Sequence, residues 1–168
     1  MSYKGHLEGG LLVAAAVAAV AEGSGARPET TMGLFATALF FSLFPDLDTS
    51  SRPQRWFFKF VFAGLLYLAW AGEYRTATAV AVLALLPVLD HHRGWTHCRL
   101  SPLAAAVVAA AGYAWWKLEG AGPGEWVAVL RELPHGLEMQ FAGAALAGWY
   151  THLILDGLFR VFPQENEP

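Results

Sequence analysis

The sequence predicts an all-α fold: a single domain over residues 1–168, built as a bundle of about six short transmembrane helices. Three observations carry that prediction. Hydrophobic residues make up 55% of the chain and charged residues 15%, against roughly a quarter charged in ordinary soluble domains. The apolar residues gather into six runs separated by short polar segments. Tryptophans (Trp56, Trp70, Trp115, Trp116 and Trp149) fall near the ends of those runs, where interfacial aromatics sit.

The runs are Leu11 to Ala21, Met32 to Phe44, Trp56 to Trp70, Ala77 to Leu89, Leu103 to Trp116 and Phe141 to Leu155. Each holds about 11 to 15 residues, fewer than the ~20 that cross ~30 Å of hydrocarbon, so flanking residues must lengthen them. Core helices of a soluble bundle are the alternative. The first run also resembles a cleaved signal peptide, with Lys4 ahead of an apolar stretch ending Ala19-Val20-Ala21. His6 and Glu8 suit such a segment poorly, and five more runs follow. The linkers at 22–30 and 72–76 are short and carry Gly and charge. The segment 117–140 is longer, broken by Gly120, Gly122, Pro123 and Gly124, with one amphipathic turn expected at Trp126 to Leu133. Phe44-Pro45-Asp46-Leu47-Asp48 and Leu86-Pro87-Val88-Leu89-Asp90 echo each other, either as a duplicated hairpin or as two helices stopped at proline, the reading preferred here.

The densest polarity lies at Asp90-His91-His92-Arg93-Gly94-Trp95-Thr96-His97. Gly94 allows a sharp turn, and Ser101-Pro102 reads as the N-cap and first residue of a new helix. The histidines therefore sit in a loop, where His92 and His97 can converge as imidazole ligands for zinc or a related ion. His91 stands as an alternative to His92 or as a residue behind the ligands. His152 and Asp156 are one helical turn apart, so both reach one ion or one orients the other; an ordinary solvated helix end has the same spacing. Asp46 and Asp48 flank a proline-led turn as hard oxygen ligands, or as an Asx turn and cap.

Counting six crossings from the N-terminus, an even number separates every pair of polar clusters: His6, then Asp46 and Asp48, then Asp90 to His97, then His152 and Asp156. All four fall on one side of the membrane, which places a metal site at one membrane edge. Unrelated polar caps would scatter over both sides.

On Gly5-His6-Leu7, Pro45-Asp46-Leu47-Asp48, His92-Arg93-Gly94-Trp95-Thr96-His97 and Gly148-Trp149-Tyr150-Thr151-His152 running to Asp156, the chain resembles the YdjM-like membrane-bound metal-dependent hydrolases, in order and over nearly its whole length. The resemblance implies an inner-membrane helical protein with metal-dependent hydrolase activity. The ligand pattern is also similar to that of zinc-dependent phospholipases C and single-strand nucleases, which implies phosphoester chemistry. Two departures stand out. Cys98 replaces the usual serine after His97, and Gly157-Leu158-Phe159-Arg160 stands in for a Thr-Pro-containing tail.

His6, Asp46, Asp48, His92, His97, His152 and Asp156 exceed the needs of one tetrahedral zinc, which fits a site for more than one divalent ion, zinc or manganese. Arg93 either clamps a phosphate oxygen or pairs with Asp90 or Asp46. A site at the membrane edge suits an amphiphilic, lipid-type substrate. The rival class is a metal-binding or ion-handling membrane protein without hydrolysis. A through-path would need polar residues at mid-span, and Lys59, the main charge inside a run, is close enough to the end to snorkel. The net charge of −3 without a basic cluster argues against nucleic acid as partner, and the lone Cys98 excludes an internal disulfide. On the site's side the counting collects Lys4, Arg52, Arg55, Lys59, Arg93, Arg99 and Arg160, and on the other Arg27, Arg75, Lys117 and Arg131. That bias puts both termini and the site on the cytoplasmic face of the inner membrane.

Overall fold

The computed structural model describes residues 3–48, 52–88, 94–117 and 136–157 and isolated positions between 118 and 135, with the side chains at 3, 48, 52, 53, 88 and 113–117 outside the description. Among the described residues the chain is all-helical: α1 (Tyr3–Gly23), α2 (Pro28–Leu43), α3 (Arg52–Trp70), α4 (Tyr74–Leu85), α5 (Ser101–Lys117) and α6 (Leu137–Leu155). These are the six expected helices, most of them extended beyond their apolar runs by polar flanks. α1 begins before His6, which therefore lies in its first turn rather than ahead of it. α5 begins at Ser101 itself. The expected turn at Trp126 to Leu133 falls largely outside the described residues.

Both proline echoes form 3-10 turns, Phe44–Asp48 after α2 and Leu86–Val88 after α4. Proline has no N–H for the helical ladder and clashes with the preceding turn. This supports the preferred reading of the echo, that helices stop at proline.

The centre is a three-helix unit of α1, α2 and α6, and small residues at helical spacing build it. Gly10 and Ala14 on α1, Ala38 and Ser42 on α2, and Ala144 and Gly148 on α6 each recur after four residues, on one face of their helix. Ala14, Ala21, Leu34, Ala38 and Ala144 form the buried core, with Val17, Phe35, Leu39 and Phe141 packed around it. A Cβ on Gly148 would collide with the Ala38 carbonyl oxygen and lie 3.0 Å from the Ser42 nitrogen, and one on Gly10 would strike the Ser42 side chain. The two glycines thus let α1 and α6 approach α2 at Ser42.

The large apolar side chains point outward: Leu12, Met32, Phe60, Phe62, Tyr67, Val107 and Val108 are exposed, and Trp70 is 84% exposed. Small residues inside with large apolar residues outside is the arrangement of helices packed in lipid, where close backbone contact replaces hydrophobic collapse. α1 and α2, over Lys4–Gly23 and Pro28–Leu47, are long and apolar enough to cross a membrane. α4, with 12 residues, rises only about 18 Å.

Of the tryptophans expected at the interface, Trp56 and Trp70 are exposed, but Trp149 is 2% exposed. It packs against Phe44 at 4.8 Å between ring centroids and against Trp95 at 6.0 Å. Its indole N–H finds a partner inside the protein, and that removes the reason for it to sit at the headgroups.

Candidate metal centre

Five of the expected ligands meet at one end of the three-helix unit. His6 comes from the first turn of α1, Asp46 from the 3-10 turn after α2, His97 from the 3-10 turn Trp95–His97, His152 from the last turn of α6, and Asp156 from its C-cap. The backbone of Asp48 belongs to the Phe44–Asp48 turn, but its side chain lies outside the description. Asp90, His91, His92 and Arg93 lie outside the described residues altogether.

His152 is the hub. Its side chain is wholly buried, and its Nδ1 lies 2.9 Å from the Ser42 carbonyl oxygen. A carbonyl only accepts, so Nδ1 carries a proton, and in the neutral ring Nε2 holds the lone pair. That carbonyl is available because α2 ends one residue later and Pro45, three residues on, brings no N–H for a 3-10 bond to it. Nε2 has no hydrogen-bond partner among the described residues. It lies 3.5 Å from Asp156 Oδ2 and 3.7 Å from Asp46 Oδ1. His97 Nε2 lies 3.9 Å from Asp156 Oδ2.

These separations are close to those between two ligands of one metal ion. At 3.5–3.9 Å the nitrogens and oxygens are at or beyond hydrogen-bond range. Two donors bound tetrahedrally to one zinc at about 2.0–2.2 Å lie about 3.3–3.6 Å apart. A buried lone pair facing two carboxylates is repulsive unless a cation, a proton on the ring or a metal ion, lies between them. The residues therefore fit a divalent ion, and two overlapping triads have the spacing to hold one: His6, Asp46 and His152, and His97, His152 and Asp156.

His6 stacks on His152 with ring centroids 4.0 Å apart and meets Asp156 Oδ1 through Nε2 at 2.9 Å. Its Nδ1 is buried without a hydrogen-bond partner among the described residues. Burial opposes ionisation of Asp156, but hydrogen bonding and positive charge from the His152 and His6 rings in their protonated form outweigh it and hold the carboxyl well below the usual carboxylate range. Asp156 is thus an anion at neutral pH. Gly157 adopts φ +68, a left-handed conformation open to glycine, and ends α6 so that Asp156 turns toward the histidines instead of continuing the helix.

Contacts around His97 that sequence reasoning missed tie its turn to α6. The Trp149 indole donates to the Thr96 carbonyl at 2.8 Å, and Thr96 Oγ1 lies 3.0 Å from His97 Nδ1. Tyr150 adds a hydroxyl bond to the Arg99 carbonyl at 3.1 Å. Ser42, Gly10 and Gly148 were missed as well. Their sequence signal was present in the four-residue spacing of Ala144, Gly148, His152 and Asp156, which extends the packing stripe of α6 directly into the ligands. Cys98, the one cysteine of the chain, is buried beside His97.

Comparison with curated proteins and with solved structures found no match. A family match covers the described ligands from His6 to Asp156 together with the helices that carry them, and it extends over residues 1–161: the chain belongs to the YdjM inner membrane protein family.

Proposed function

We propose that the chain is a multi-pass, metal-dependent membrane hydrolase that cleaves a phosphoester of an amphiphilic, lipid-type substrate. The observation that supports this best is the buried Nε2 of His152, without a hydrogen-bond partner among the described residues and facing Asp46 and Asp156. His6, Asp46, His97, His152 and Asp156 would hold the ion, zinc or manganese. A divalent ion bound there supplies Lewis acidity at a phosphoryl oxygen and lowers the pKa of water. The chain's own residues do the rest. The Ser42 carbonyl orients His152, the buried imidazoles exclude bulk water, and Asp46, with its side chain 20% exposed, is the most open ligand and marks the side of entry. His152, with one bare nitrogen, serves one ion at a time. A second ion would draw on carboxylate oxygens and on Asp48, Asp90 or His92. Arg93 is assigned to the substrate's phosphate group.

A second reading, metal binding without hydrolysis, is favoured by the burial of His6, His97 and His152, since closed sites are the structural ones. The deciding experiment is elemental analysis of protein extracted in mild detergent, followed by assay on lipid phosphoester panels with zinc and manganese. At least one equivalent of metal and turnover abolished by Asp46→Ala are expected. Metal without turnover on any substrate gives the second reading, and a protein that neither holds metal nor gains thermal stability from it overturns both.

The exposed apolar side chains of α3, α4 and α5 support six crossings, and the surplus of Lys and Arg on the site's side supports a cytoplasmic orientation. In a Cys98→Ser background, Gly122→Cys is expected to react with an impermeant thiol reagent in intact cells and Leu100→Cys only after permeabilisation. The opposite pattern moves the site to the outer leaflet.

A further inference from the structure

We propose that Thr96 is the positioning residue of His97: its hydroxyl accepts the Nδ1 proton and so presents Nε2 to the ion. The inference rests on the metal-site reading above and assigns a role to a side chain that neither binds the ion nor touches substrate.

Thr96 is 1% exposed, and its hydroxyl and carbonyl have different partners. The hydroxyl oxygen lies 3.0 Å from His97 Nδ1. The carbonyl accepts from the Trp149 indole, 2.8 Å away and also buried. Trp149 precedes His152 by three residues on α6, so the bond clamps the His97 turn to the helix that carries the hub ligand. The turn is closed by the His97 amide donating to the Gly94 carbonyl at 3.2 Å and the Cys98 amide to the Trp95 carbonyl at 3.1 Å. Thr96 therefore sits in a fixed backbone, with little freedom to swing its hydroxyl away from the ring. The His97 ring meets that of His152 edge-on at 5.3 Å, which points its Nε2 side at Asp156.

A neutral imidazole carries one proton, and it ligates through the nitrogen that lacks it. With Nδ1–H bonded to Thr96, the lone pair is on Nε2. The Ser42 carbonyl does the same for His152. The two histidines of the triad are thus set by two unlike partners: a backbone oxygen that no side-chain substitution removes, and a hydroxyl that one substitution does. Losing such an outer partner costs roughly 10–100-fold in metal affinity.

The test is zinc affinity of the detergent-solubilised full chain, by competition with a chromophoric chelator, for wild type, Thr96→Val and Thr96→Ser. Valine keeps the shape and the carbonyl bonded to Trp149 but removes the hydroxyl; serine keeps the hydroxyl. Thr96→Val is expected to weaken zinc binding by roughly 10–100-fold and Thr96→Ser to retain wild-type affinity. Nitrogen-15 histidine spectra of the zinc-loaded wild type, assigned against His97→Gln, should show His97 protonated at Nδ1. Wild-type affinity in Thr96→Val, or a His97 that binds with Nδ1 bare, overturns the proposal while leaving the metal site standing. The spectrum decides the matter even if Thr96→Val fails to fold. A wild type that binds no zinc overturns the underlying reading and this inference with it.

Discussion

Changing His152 to alanine is expected to abolish high-affinity metal binding, with a loss greater than the roughly 10–100-fold that removal of an outer partner costs. The reason is position. His152 belongs to both triads with metal-ligand spacing, so its removal leaves each of them with only two members. Its loss also exposes the geometry of the remaining carboxylates: Asp46 and Asp156 each lose the imidazole that lies 3.5–3.7 Å away. In a thermal melt with added zinc the wild type should rise with metal concentration, because binding to the folded form alone stabilises by RT ln(1 + [L]/Kd). His152→Ala should show a flat response. A variant that still melts higher with zinc, by the same increment as wild type, would show that the ion is held without the hub.

The second large effect is expected at a residue with no functional group. Gly148→Ala places a methyl against the Ala38 carbonyl oxygen and 3.0 Å from the Ser42 nitrogen. Both are backbone atoms of α2, which no rotamer change moves aside. The helices must separate, at a cost of about 1–3 kcal/mol or more. The same separation lengthens the 2.9 Å contact between the Ser42 carbonyl and His152 Nδ1, so stability and zinc affinity fall together. Gly143→Ala is the internal control. It lies on the same helix, is exposed, and has no atom within 4 Å of the added methyl. There the better helix propensity of alanine should leave stability unchanged or raise it by up to about 1 kcal/mol. Equal melting temperatures for the two variants would refute the close approach of α2 and α6.

The contrast between the two glycines shows what a helical pattern conveys. Period and hydrophobicity located all six helices, because a run of apolar residues bounded by Gly, Pro and charge has few other uses. Alternation of the polar clusters between successive runs placed His6, Asp46, His97, His152 and Asp156 at a common end, and there they meet. Trp149 was read less well. Its place near the end of a run matched an interfacial aromatic, whereas the fold buries it and gives its indole N–H to Thr96.

What the sequence determined by itself was therefore local and periodic: which segments are helical, which helix ends carry His and Asp, and that these ends come together. The tertiary structure alone decided which nitrogen of His152 faces the carboxylates, since the other is held by a carbonyl 110 positions away. It alone tied the His97 turn to α6, through a bond spanning 53 positions. It alone separated Gly148 from Gly143, since the close approach of a second backbone is a property of the neighbour and not of the helix. The physical reason is the same in each case. Helix period fixes the face a side chain occupies, but a tautomer, a tether or a steric limit depends on a partner atom that another part of the chain brings within about 3 Å.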